Sequence, residues 1–150
     1  TTAAANNETI EEKPTEKKKS GILSDTKDLT TIRIATIVEK MKYDTPELTV
    51  KAGKKIKLTF ANPDLMPHNI VLVNPGKLET IATAAIALGA EGFNVGFIPK
   101  SSDIIWASKL IDHGKEQVIE FTAPTKPGDY PYVCTFPGHH LLMRGVLHVR

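Results

Sequence analysis

Cysteine occurs once in this chain, at Cys134, and the residues after it run Thr135-Phe136-Pro137-Gly138-His139-His140-Leu141-Leu142-Met143. A thiol, two imidazoles and a thioether therefore share one short loop. Donor atoms this close in sequence converge on a point only if rigid elements hold the loop at both ends and a tight turn folds it back. Residues 130–134 and 145–149 read as the flanking strands, and Pro137-Gly138 as the turn. A lone cysteine excludes an internal disulfide and concentrates all thiol chemistry at Cys134.

The pattern upstream supports that reading. In residues 55–60, Ile56, Leu58 and Phe60 alternate with Lys55, Lys57 and Thr59, the period of a half-buried strand. Residues 32–38, 68–73, 104–109 and 117–121 are further strand candidates. Turn signals separate them at Asn62-Pro63-Asp64, Asn74-Pro75-Gly76, His113-Gly114 and Lys126-Pro127-Gly128-Asp129. Short strands at this spacing predict an all-β antiparallel sandwich or barrel. Residues 78–88 depart from it: Leu78, Ile81, Ala82, Ala85, Ile86 and Leu88 recur with helical spacing, and Gly89 follows as a C-terminal cap, which predicts one short helical insertion.

Composition narrows the function. At 150 residues with 41% hydrophobic side chains, the chain fits one domain with a real core. Nineteen Lys and Arg against 17 Asp and Glu leave a formal charge of +2, without the basic excess of a nucleic-acid binder. No apolar run reaches the roughly 18 residues of a transmembrane segment, and the start lacks the basic-then-apolar order of a secretory signal. A soluble chain is expected, with any export signal removed or absent from this stretch. Residues 1–30, rich in Thr, Ala, Asn, Glu and Lys and including Lys17-Lys18-Lys19, read as a flexible tail or interdomain linker, and residues 31–150 as the folded domain. No Gly-rich phosphate loop is present.

Thiolate, imidazole and thioether are soft or borderline ligands that suit copper in both of its oxidation states. A mononuclear centre of two histidines, one cysteine and a weak axial methionine lacks one histidine if the loop gives one, and His68 in Met66-Pro67-His68-Asn69-Ile70 supplies it. Cu(II) prefers tetragonal N and O sites whereas Cu(I) accepts three or four soft ligands, so a protein that moves one electron holds a compromise geometry. The residues thus point to a single-copper electron carrier, with His139 and His140 both within reach of the loop's metal.

Over about residues 42–150 the chain resembles the cupredoxins of the azurin and auracyanin type. The resemblance rests on Cys-Thr-Phe-Pro-Gly-His followed by Met at 134–143, on Met-x-His-Asn at 66–69, and on a helical insertion ahead of Ile105-Trp106-Ala107-Ser108-Lys109-Leu110-Ile111. It implies a Greek-key β-sandwich of about eight strands. It also implies a type 1 copper bound by His68, Cys134 and His139 in a trigonal plane, with Met143 as a long axial contact. By that pattern His139 is the ligand and His140 is exposed, while His113 and His148 are surface residues and Trp106 belongs to the core. Asn69 would tie its strand to Thr135, and nearby amides would hydrogen-bond the cysteine sulfur. Pro67 stands where azurin has glycine, and its fixed φ affects whether the carbonyl nears the metal. His139 would project through a docking patch of Met66, Phe136, Pro137, Gly138 and Leu142, with Leu65 and Leu141 nearby.

The implied role is electron transfer, without catalysis, between donor and acceptor redox proteins such as cytochromes or an oxidase or reductase, in a bacterial periplasm or other extracytoplasmic location, with residues 1–30 a possible tether. The alternatives are a periplasmic copper carrier, or an electron-transfer domain of a larger redox enzyme. Tyr132, two residues before the cysteine, is expected to pin a corner of the sandwich through its hydroxyl.

Overall fold

A computed structural model describes residues 9–11 and 19–150. Its strands, in chain order, are β1 (Thr9–Glu11), β2 (Gly21–Asp25), β3 (Thr30–Ile37), β4 (Lys42–Tyr43), β5 (Glu47–Val50), β6 (Lys55–Asn62), β7 (Val71–Val73), β8 (Ile104–Ala107), β9 (Lys115–Thr122), β10 (Gly128–Val133) and β11 (Arg144–Val149). One sheet has the order β1-β9-β6-β3-β2, with β4 added to β3; the other has the order β5-β11-β10-β7-β8. The pairs β3/β6 and β5/β11 are parallel and the rest antiparallel. This is the expected two-sheet sandwich, and no helix among the described residues is long and apolar enough to cross a membrane.

The alternation read from the sequence becomes the core. Ile56, Leu58 and Phe60 of β6 and Ile119 and Phe121 of β9 face Tyr132 of β10 and Leu147 and Val149 of β11 between the sheets. Strand β7 shows no alternation because it is covered on both sides. Val71 and Val73 pack outward against Leu78 and Ile81 of helix α1 (Leu78–Ala87), while Leu72 faces the main core. Trp106 is buried against Phe121, with ring centroids 4.7 Å apart.

Several boundaries differ from the sequence reading, each for a backbone reason. The stretch read as a tail contributes β2, which pairs with β3, and β1, which pairs with β9. An edge strand needs ladder hydrogen bonds rather than buried side chains, and Ile22 and Leu23 of β2 are exposed, so composition carries no signal for it. Residues 26–29 of the same stretch form a turn in which the Thr26 N–H donates to the Leu29 carbonyl (2.9 Å), and the tail assignment for residues 1–8 and 12–18 lies outside the described residues. Strands β4 and β5 are additional to the sequence reading: β4 has two residues, and β5 has four, whose alternation buries Leu48 and Val50. The candidate strand at 68–73 shrinks to Val71–Val73, leaving His68 in an isolated bridge with Ile111. Its neighbour Asn69 has its carbonyl diverted to the Tyr43 hydroxyl, at 2.7 Å, and so leaves the ladder. Gly89 closes α1 with a left-handed φ of 58°, but the chain then winds a 3-10 helix, Gly89–Val95, that the sequence did not reveal.

The Tyr132 hydroxyl is pinned, though not at a local corner: it donates to the distant carbonyl of Thr45. The bond to backbone a few residues upstream is made instead by Tyr130, to the Lys126 carbonyl at 2.7 Å. The cross-strand partner of Tyr132 is Gly145. A Cβ at Gly145 would lie 2.4 Å from the tyrosine ring, so no larger residue fits without moving it. Gly145→Ala is therefore expected to destabilise the protein by about 1–3 kcal/mol in urea unfolding. At the rim, His148 lies between Asp129 (Nδ1 to Oδ1, 2.7 Å) and Glu47 (Nε2 to Oε1, 2.9 Å), and hydrogen bonds to these carboxylates raise its pKa above the ordinary 6.5. A raised folded-state pKa adds stability that is complete below the unfolded value and is lost as pH rises through the folded one. His148→Gln should therefore lower the melting temperature more at about pH 6 than at about pH 8.5; equal losses would mean that charge is not involved.

Candidate metal centre

The loop after β10 is folded by its own backbone. His139 N–H donates to the Phe136 carbonyl (2.9 Å), Met143 N–H to the His139 carbonyl (2.8 Å), and Cys134 N–H to the Met143 carbonyl (3.1 Å). Gly138 makes the reversal at φ 86°, a left-handed conformation that favours glycine, and a short 3-10 turn, His139–Leu141, follows. These bonds bring Cys134, His139 and Met143 together inward. All three are buried, as is His68 from the other segment.

The donor atoms form a compact triangle. Cys134 Sγ lies 3.8 Å from His68 Nδ1 and 3.6 Å from His139 Nδ1, and the two nitrogens are 3.2 Å apart. The circle through three points with these separations has a radius of about 2.1 Å, the length of a bond from a first-row metal ion to nitrogen or sulfur. The site thus fits one transition-metal ion without rearrangement. His68, Cys134 and His139 are also the one group of three His, Cys or carboxylate side chains among the described residues whose ligand atoms all lie within 4.8 Å of one another.

Electrostatics leaves the donors ready to bind. Burial pushes the Cys134 thiol up to about 11, against the backbone N–H groups of Asn69 and Phe136, which hydrogen-bond its sulfur. Burial, and then the neighbouring His68, bring His139 down to about 4. Burial also lowers His68, though Asp64 pulls the other way. At neutral pH both imidazoles keep a free lone pair, and the thiol yields its proton to a metal ion.

The frame around the donors is as expected at Asn69 and Thr135. Asn69 Oδ1 accepts from Thr135 N–H (2.8 Å), and Asn69 Nδ2 donates to Thr135 Oγ1 (2.8 Å) and to the Gly96 carbonyl (2.9 Å). The Thr135 hydroxyl donates to the Phe97 carbonyl (2.7 Å). The helical insertion is thereby bolted to the ligand loop. Its geometry depends on Gly92, where a Cβ would come within 2.1 Å of the Phe97 ring. Pro67 is half-buried immediately before His68.

Other predicted residues divide. Met66, Leu142, Leu65 and Leu141 are exposed beside the loop, with Pro137 and Gly138 exposed and Phe136 half-buried. His139 does not project through this patch: only 2% exposed, it lies beneath it with its ring 4.6 Å from that of Phe136. His140 turns away from the metal site, but toward Glu79 of α1 at 3.6 Å rather than into solvent. His113 is exposed and reaches the Asp64 carbonyl at 2.9 Å. Two residues were missed. Phe93, 64% exposed on the 3-10 helix, adds an aromatic ring to the patch, 6.1 Å from Phe136. Asp64, read only as part of a turn, is buried with Oδ2 2.7 Å from His68 Nε2; nothing in an Asn-Pro-Asp triplet signals that contact. Because Asn69 satisfies buried groups on both donor segments, Asn69→Ala should cost the metal-free protein about 1–3 kcal/mol in urea unfolding; a loss near zero would show that the clamp is dispensable.

Comparison with known proteins agrees with this geometry. The family model for copper-binding proteins of the plastocyanin/azurin family matches residues 30–150. Auracyanin-A of Chloroflexus aurantiacus is 38% identical over 121 residues, covering 79% of this chain and 74% of that protein. Azurin of Pseudomonas aeruginosa is 30% identical over 120 residues, covering 75% and 80%. The crystal structure of dithionite-reduced auracyanin from Roseiflexus castenholzii matches with a TM-score of 0.73 at 37% identity, over 80% of this chain and 96% of that one. Thiolate, imidazole and thioether are the donors a blue-copper ion takes. With all four donor side chains inside the matched stretch, the chain belongs to the plastocyanin/azurin family of copper-binding proteins.

Proposed function

We propose that this protein is a one-electron carrier and not an enzyme. The observation that carries the reading is the buried triangle of His68 Nδ1, His139 Nδ1 and Cys134 Sγ, already sized for one metal ion. In this reading His68, Cys134 and His139 would hold a type 1 copper, with Met143 as the fourth, weaker donor. Copper supplies the one-electron couple between Cu(II) and Cu(I). The chain's own part is to keep the donors still. Cys134 and His139 are fixed by loop backbone bonds, His68 by its bridge to Ile111, and the two segments by Asn69 and Thr135. A frame that does not move when the charge changes keeps reorganisation small.

Leu65, Met66, Phe93, Leu141 and Leu142 are exposed apolar residues at or near the ligand segments, and Phe93 connects to His139 through the Phe136 ring, 6.1 Å from one and 4.6 Å from the other. A small apolar patch suits brief redox encounters, which use weak interfaces. Donor and acceptor are then redox proteins such as cytochromes or an oxidase or reductase, met in a bacterial extracytoplasmic compartment. A copper-delivery role is disfavoured by burial of all four donors, since delivery needs ligands that an acceptor can reach.

The reading is tested by titrating the metal-free protein with Cu(II) and then reducing it. An intense absorption at about 600 nm is expected, saturating at one copper per chain, bleached by ascorbate and absent from Cys134→Ser. A weak ligand-field absorption alone would overturn the Cys134 bond and with it the electron-carrier role.

A further inference from the structure

Asp64 is a carboxylate placed inside the protein at a point where a neutral acceptor would suffice. It is 4% exposed, and burying a charge is costly unless hydrogen bonds and a counter-charge hold it. Its Oδ2 lies 2.7 Å from His68 Nε2, and its Oδ1 accepts from the Glu39 N–H at 3.0 Å. The Leu65 N–H also hydrogen-bonds this carboxylate. The Asp64 N–H in turn donates to Asn62 Oδ1 at 3.1 Å. Asn62 is itself fixed: its Oδ1 accepts from the Thr36 hydroxyl (2.8 Å), and its Nδ2 donates to the Met66 and Ile111 carbonyls (2.8 Å each).

The Glu39 N–H reaches Asp64 from a turn that holds two non-glycine residues at positive φ, Glu39 at 64° and Met41 at 51°. Such conformations persist where surrounding structure enforces them, and here the turn delivers a donor to the carboxylate. The chain thus strains a surface turn and spends a buried network to aim one negative charge at one ring. The other histidine is treated differently, with His139 packing its ring against Phe136.

The contact is on the far side of the imidazole from the metal site. With Nδ1 facing Cys134 and His139, the Nε2 proton points at Asp64, the carboxylate-histidine-metal arrangement that fixes a ligand's tautomer and makes it a stronger donor. Oxidation raises the charge of a bound copper by one, so a fixed carboxylate behind one ligand favours the oxidised ion. We propose that Asp64 is a positioning residue that locks the His68 ring and biases the site toward Cu(II). This rests on the copper-carrier reading.

The test compares the reduction potential of the copper-loaded protein with that of Asp64→Asn, which keeps the shape and an acceptor oxygen but removes the charge. The variant is expected to stay blue and to lose at least tenfold in the ratio of Cu(II) to Cu(I) affinity, an upward shift of about 59 mV for a one-electron couple. Asp64→Glu, which retains the charge, is expected to lie closer to wild type. A blue Asp64→Asn protein with an unchanged potential overturns the proposal and leaves the copper reading intact; a wild-type protein that never turns blue overturns both. Should Asp64→Asn fail to fold, proton NMR of the reduced wild-type protein decides. A slowly exchanging, downfield-shifted proton on His68 Nε2 supports the carboxylate contact, and its absence overturns it.

Discussion

The reciprocal hydrogen bonds between the Asn69 amide and Thr135 join the two chain segments that carry the donors. His68 precedes Asn69 and Cys134 precedes Thr135, so fixing one pair of side chains fixes the spacing of the other. The same two residues extend the frame outward, Asn69 to the Gly96 carbonyl and Thr135 to the Phe97 carbonyl. Sandwich, ligand loop and helical insertion therefore meet at one buried polar knot. Buried polar groups are costly when unpaired, and a fully paired set specifies a single arrangement.

Burial does two jobs at this end of the sandwich. It keeps the imidazoles neutral and the thiol protonated, so the protein holds no net charge in its donors until a cation arrives. It also removes the donors from solvent, with the edge of His139 hidden against the ring of Phe136. The Phe93, Phe97 and Phe136 rings, with centroids 4.9 to 6.1 Å apart, turn that edge into an aromatic shoulder built jointly by the insertion and the ligand loop.

Much of this was legible in the residues. The alternation at 55–60 became the buried face of β6, the helical spacing at 78–88 became α1, and the ten residues from Cys134 to Met143 carried the donor types and their order. Elements held together mainly by backbone pairing left no trace, as with β2, which exposes its apolar residues; β4 and β5 do send Tyr43, Leu48 and Val50 into the core, but over two and four residues the signal is brief. The 3-10 helix was hidden for a similar reason, since its order comes from Gly92 and Phe97 packing together rather than from a repeat.

By itself the sequence determined which atoms are available: one thiol, the imidazoles of a short loop and a distant histidine, a thioether, and enough alternating apolar residues to close two sheets over them. Donor chemistry is a property of residue type, so it can be read without coordinates. Only the tertiary structure decided how those donors sit and what stands behind them. It put His139 beneath the surface instead of through it, turned His140 toward Glu79, and set the Asp64 carboxylate against His68 from a strained turn. Each of those outcomes depends on segments distant in the chain being packed together, and a hydrogen bond acts over a few ångströms of space, however many residues lie between its partners.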